Sequence, residues 1–211
     1  ENAFWNGAQM VFGDGDGEIF QRFTRSLDVI GHELAHGVTE SEAGLIYANQ
    51  SGALNESLSD VFGVLIKQYI LGQTAEQADW LIGADLLMPQ IQGKGLRSMS
   101  HPGTAYDDPM LGKDPQPDHM RKFVITSEDN GGVHINSGIP NRAFYLAARA
   151  FGGFAWEKAG HIWYDTLCDD RLKQDATFDA FAKLTIDHAG QRFGAEAADT
   201  VQQAWAQVGI E

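Results

Sequence analysis

Residues 28–40 read DVIGHELAHGVTE, and the arrangement of charged and apolar side chains within them decides how the rest of the chain is read. Val29, Ile30, Leu34 and Val38 recur at three- and four-residue steps, the period of a helix with one buried face. The helix starts near Ser26, carries Asp28 in its first turn, where a carboxylate suits the helix dipole, and ends before Gly44. On it His32 and His36 stand one turn apart on the same face, so both imidazoles can converge on one point, about 2 Å from each ring nitrogen. A bare pair at this spacing is more readily two surface histidines. Glu33 distinguishes the cases: set about 100° around the helix from His32, it can approach a water held by a metal and act as its general base.

Such a centre needs a third protein ligand and an open position. The segment ALNESLSD, residues 53–60, opens a second helix predicted over 53–70, with Leu54, Leu58, Val61, Phe62, Leu65, Ile66 and Tyr69 as a broad apolar stripe. Glu56 lies twenty positions beyond His36 on this helix, and a buried carboxylate there calls for a cation. Asp60, one turn further on, can accept a hydrogen bond from the far nitrogen of His32 and fix its tautomer. A solvated helix face would explain both acids more simply, but the flanking Leu54, Leu58, Val61 and Phe62 leave little room for one.

Around these helices the chain is punctuated simply. Residues 1–25 are expected to form short strands, with GDGDG (13–17) as the hairpin signal. Asp14 and Asp16 resemble the start of a calcium loop, but the twelfth position from Asp14 holds Arg25, so a turn is the better reading. Residues 89–132, rich in Gly, Pro, Asp and Ser, are expected to be loop, and loops of that length are usually functional or mobile. Helices are predicted over 137–151, 155–170, 176–190 and 195–208. The 211 residues carry 29 acidic and 15 basic side chains, a formal charge of −14 that disfavours nucleic acid and acidic membrane surfaces as partners. Apolar runs are too short for a membrane span, and no export signal is present in these residues. Cys168, the single cysteine, is expected in the core.

The segments NAFWNGAQM, GDGDG, HELAHGVTE, AGLIYANQSGALNESLSDVFG, LRSMS, DNGGVHINSG and AWAQVG follow one another along the whole chain. In these the sequence resembles the thermolysin family of zinc metallopeptidases. The resemblance implies a mainly α fold with a small β-hairpin portion at the N-terminus: 1–25 as the end of a β lobe, 26–70 as zinc-binding helices, 71–136 as a loop-rich region with a catalytic histidine, and 137–211 as a helical bundle. It further implies that His32, His36 and Glu56 bind one Zn²⁺, that Glu33 is the general base, and that Asp60 orients a ligand. His134 corresponds to the family's transition-state-stabilising histidine, Asp129 to the acid that orients it, and Tyr47 to the tyrosine that holds the oxyanion. Asn2, Ala3, Trp5 and Arg97 match positions that contact substrate backbone or form the cleft. Val29, Ile82 and Leu96 match walls of the apolar pocket that receives the residue after the scissile bond, implying cleavage before bulky apolar residues. His101, His119, His161 and His188 match no motif.

The implied protein is a secreted, monomeric metalloendopeptidase acting on proteins or peptides, although a cytoplasmic home stays open. The family's N-terminal β lobe or propeptide would be a partner of this part. Two rivals are a catalytically silent zinc-binding helical module, which has no use for Glu33, His134, Asp129 and Tyr47, and an exopeptidase, which would need a pocket for a free chain end. Calcium sites of the family are expected to be reduced or lost. Acidic ligands of its double site match Asp28, Lys67, Asp79 and Ala84, so Lys67 is expected between Asp28 and Asp79 in place of the ion, and Lys94 replaces an acid in a second calcium loop.

Overall fold

The computed structural model describes residues 3–7 and 9–211. Strands β1 (Ala3–Trp5) and β2 (Met10–Phe12) pair antiparallel, Ala3 opposite Phe12 and Trp5 opposite Met10. The chain reverses between Asn6 and Gln9, where the Asn6 side chain accepts the Gln9 amide. The hairpin turn is therefore not GDGDG, which follows β2. There Asp16 accepts the backbone N–H groups of Glu18, Ile19 and Phe20, an Asx turn that satisfies the carboxylate without an ion.

Helix α1 (Leu27–Glu42) starts after Ser26 and ends at Ala43. Helix α2 (Asn49–Leu71) begins four residues earlier than the apolar period indicates, because its first turn is Asn49, Gln50 and Ser51. The Ser51 hydroxyl donates back to the carbonyls of Ile46 and Ala48 there, so polar local bonding hides the helix start from a hydrophobic pattern. The stripe on α2 is also narrower than predicted. Leu54, Leu58 and Val61 are fully buried, whereas Ile66 (39% exposed) and Tyr69 (69%) reach solvent.

The two helices touch along their length at a close approach where Gly63 faces the Asp28 carbonyl and the His32 amide. A Cβ at Gly63 would collide with that carbonyl, so the glycine sets how near the α1 histidines come to the α2 acids.

Residues 72–128 are irregular but pinned. Short ladders join β3 (Leu81–Ile82) to β4 (Arg97–Ser98) and β5 (Asp107–Asp108) to β6 (Gly112–Lys113). Asp108 accepts the amides of Gln92, Met110 and Leu111, and Asp114 those of Gly103, Ala105 and Gln116. Helices α3 (Asp129–Asn136), α4 (Gly138–Phe151), α5 (Ala159–Leu167), α6 (Phe178–Phe193) and α7 (Ala195–Gln207) complete the chain. Their core centres on Trp163, stacked on Trp205 at 6.0 Å and met edge-on by Phe144 and Phe181. Cys168, expected in the core, is exposed at the end of α5. No helix among the described residues is long and apolar enough to cross a membrane.

Candidate active site

The α1–α2 crossing brings three donor side chains together. The Nε2 atoms of His32 and His36 lie 3.1 Å apart, and Glu56 places one carboxylate oxygen 3.4 Å from each. Each outer nitrogen is tied down. Asp60 Oδ1 meets His32 Nδ1 at 2.8 Å, and His36 Nδ1 lies 2.7 Å from Asn55 Oδ1 and 3.1 Å from Ser59 Oγ. Both Nε2 atoms are thereby aimed at one point. Glu56 is 1% exposed, and its Oε2 has no hydrogen-bond partner among the described residues.

Burial opposes a charge on His32, yet the Asp60 carboxylate bonded to it and the Glu56 carboxylate beside it outweigh this and push its pKa up to about 10. Burial and the charge on His32 together push His36 down. Burial would raise Glu56, but His32 and then His134 and His36 hold it well below the usual carboxylate range. Two imidazoles and a carboxylate whose donor atoms all lie within 4.8 Å of one another fit a divalent ion with nitrogen and oxygen ligands. The orphaned Glu56 oxygen is the observation that calls for one.

Asp60 is fully buried, and burial raises its pKa, but Arg97 and His32 prevail and hold it far below the ordinary range. Arg97 grips it through Nε and Nη2 at 2.7 and 2.6 Å, and Asn141 donates from α4 at 2.8 Å. Sequence reasoning missed Asn55, Ser59 and Asn141. Asn55 and Ser59 could have been found as further polar positions on the Glu56 face of α2; Asn141 is 81 positions from Asp60 and left no signal.

Opposite this cluster, the Tyr47 hydroxyl donates to Glu56 Oε1 and lies 3.3 Å from His134 Nε2. Burial, then the Glu56 charge, pushes the phenol up, so Tyr47 remains a proton donor at neutral pH. Asp129 holds His134 from two sides, Oδ1 to Nδ1 at 2.6 Å and Oδ2 from the backbone amide at 2.8 Å.

His32, His36, Glu56, Tyr47 and His134 all line one cavity of about 580 Å³. Glu33, 6% exposed, lines its wall with Ala3, Val29, Leu96 and Arg97. Phe23 and Leu45 also line it and were not singled out from the sequence. Ile82 does not reach the cavity surface: it is fully buried, its carbonyl accepting the Leu96 amide at 2.8 Å. Asn2 and the side chain of Trp5 lie outside the described residues.

At another point of the α1–α2 contact Lys67 Nζ lies 3.1 Å from Asp28 Oδ2 and 3.3 Å from Asp79 Oδ2. Lys94 is exposed beside a second, shallower groove.

Two family profiles match the chain: "Thermolysin metallopeptidase, catalytic domain" over residues 1–40 and "Thermolysin metallopeptidase, alpha-helical domain" over residues 43–210. The chain belongs to the thermolysin family of metallopeptidases. Among its relatives, an "Extracellular metalloprotease" of Pectobacterium carotovorum subsp. carotovorum is 72% identical over the whole of this chain and 61% of its own length. "Protease PrtS" of Photorhabdus sp. (strain Az29) is 57% identical over all of this chain and 57% of its own. A solved structure, "Precursor of Protealysin, Metalloproteinase from Serratia proteamaculans", superposes with a TM-score of 0.99 at 72% identity, covering all of this chain and 65% of that one. The chain thus spans less than two thirds of the length of these relatives.

Proposed function

We propose that this chain is the catalytic part of a zinc endopeptidase. The observation that carries the proposal is the buried, unpartnered oxygen of Glu56 beside two imidazoles whose outer nitrogens are already engaged. His32, His36 and Glu56 would hold Zn²⁺, which supplies Lewis acidity toward a peptide carbonyl and toward water at neutral pH. Glu33, on the cavity wall beside the ligands, takes a proton from the attacking water and delivers it to the departing amide nitrogen. The Tyr47 hydroxyl, and the Nε2 proton of His134 when its ring is charged, donate to the carbonyl oxygen as it gains negative charge. Asp129 accepts the other ring N–H of His134 and fixes the orientation of the ring.

Val29, Leu96 and Phe23 offer the apolar wall for a bulky side chain after the scissile bond, with Ile82 packed behind Leu96. Ala3 brings the β1 backbone to the cavity wall. Lys67, set between Asp28 and Asp79, supports the reading that it stands in for a divalent ion and that the family's calcium sites are reduced here. The names of the relatives favour secretion and an accompanying lobe or propeptide; the protein is read as a monomer.

Metal removal tests the reading. Dialysis against a chelator should abolish peptide hydrolysis and lower the melting temperature, and zinc should restore both where calcium and magnesium do not. Turnover that survives complete removal of zinc would exclude it.

A further inference from the structure

Four non-glycine residues among those described have positive φ: Asn49 (52°), Trp80 (57°), Asp129 (52°) and Asn130 (50°). Three of them lie in the segments that carry Tyr47 and His134. In the second segment the left-handed run continues through Gly131 (86°) and Gly132 (79°), a full reversed turn just ahead of His134. Left-handed backbone is disfavoured for an L-residue, least so for Asn and Asp, and a run of it persists where the surroundings hold it.

What enforces it is contact between the two segments. A Cβ at Gly131 would fall on the Asn49 side-chain oxygen and within 3.1 Å of the Asn49 amide nitrogen. One turn along α2, a Cβ at Gly52 would lie 2.5 Å from Val133 Cγ1 and 2.9 Å from the Tyr47 carbonyl carbon, and Val133 is fully buried. The His134 segment is thus seated on the Tyr47 segment at two points where no larger residue fits. Above this seat the Tyr47 and His134 rings stand 6.2 Å apart.

We propose that Asn49 and Gly131, braced by Gly52 and Val133, are positioning residues: their strained seat sets the spacing between the Tyr47 hydroxyl and His134 Nε2, and so the geometry of the two donors that receive the developing oxyanion. This rests on the zinc-peptidase reading for its catalytic consequence, not for the docking itself. His32 and His36 are held by Asp60 and Asn55, away from the seat, and Glu56 meets it through the Tyr47 hydroxyl, so the seat should act on turnover well before it acts on zinc.

The experiment is a double-mutant cycle in the intact protein, reading zinc content, kcat and KM for a peptide substrate, and the NOE between the Tyr47 and His134 rings. Gly131→Ala drives a methyl against Asn49. It should lower kcat about 100-fold, in the range for a lost oxyanion donor, with KM within about threefold, full zinc and a weakened NOE. Asn49→Gly removes the obstructing oxygen and accepts the positive φ. Alone it should lower kcat about fivefold, and combined with Gly131→Ala it should recover about tenfold or more, a coupling that independent sites do not show. A Gly131→Ala protein that loses stability but keeps kcat and the NOE overturns the proposal, as does additivity of the two substitutions. If Gly131→Ala does not fold, Asn49→Gly alone must still weaken the NOE and lower kcat; no change in either also overturns it. Wild-type protein that binds zinc and hydrolyses no peptide defeats the peptidase reading instead, and the NOE arm still decides whether the seat holds the rings.

Discussion

In the proposed centre Glu56 and Asp60 divide one task between them: the first would meet the ion, and the second aims His32, the ligand beside it. Asp60 has its two oxygens occupied by His32, Arg97 and Asn141, whereas Glu56 Oε2 has no such partner. Removing each should therefore fail differently. Glu56→Ala should lose zinc outright, and Asp60→Asn should weaken zinc affinity or activity about 10–100-fold, the usual cost of losing a ligand's partner. Metal analysis after dialysis separates the two, and retention of tight zinc and full activity by both would remove Glu56 from the ligand set. The acids and histidines on α1 and α2 were legible from spacing alone, because helix geometry turns a separation of four into a shared face. Tyr47, Asp129 and His134 were not. Their segments converge through tertiary docking, His134 coming 87 positions away from Tyr47 to meet it, and only the resemblance pointed to them. Arg97 was read as a cleft residue; that it also clamps Asp60, 37 positions earlier, was beyond any local pattern.

Between elements, the α1–α2 contact is fixed by a glycine at one point and by an ion cluster at another. Gly63→Ala would force a methyl against the Asp28 carbonyl, and it should cost about 1–3 kcal/mol and weaken zinc binding together; a change in stability alone would show that the helix separation does not govern the site. At Lys67, burial lowers the pKa, but the charges of Asp28 and Asp79 outweigh it and leave it raised. A raised folded value means that the stabilisation is fully present below the ordinary lysine range and is lost only as pH climbs through the raised value. The cluster should therefore hold the helices together through neutral and mildly alkaline solution. Lys67→Met would leave Asp28, 1% exposed, without its counter-ion, at a cost of about 3–5 kcal/mol. Millimolar calcium should leave the wild-type melting temperature nearly unchanged; a large rise would mean that an ion binds where Lys67 is placed. The existence of these helices was plain from the sequence, but their limits were not. α2 starts in a polar turn that hydrophobic periodicity cannot see, and the hairpin turns at Asn6–Gln9 because GDGDG is engaged in capping its own loop through Asp16.

Over the whole molecule, α1 has its cavity face and its α2 face occupied, and Leu27 (39%), Leu34 (47%) and Val38 (40%) form an exposed apolar row on the remaining side. Replacing Leu34 or Val38 by Ser should change the stability of the 211-residue chain by no more than about 0.5 kcal/mol; a loss of several kcal/mol on thermal unfolding would show that the row is packed. The mainly helical fold was legible because four amphipathic segments follow α2 in sequence, and the middle was legible as loop, whereas its internal order was not, because it depends on Asp108 and Asp114 collecting amides from across the loop. The account as a whole turns on a division of labour in which His32, His36 and Glu56 bind the ion and Glu33 moves the proton. Glu33→Gln tests that division most directly, with zinc content and peptide turnover measured on the same preparation. The account predicts zinc bound as in the wild type with turnover reduced about 10²–10⁴-fold; turnover near the wild-type rate with zinc in place would contradict it.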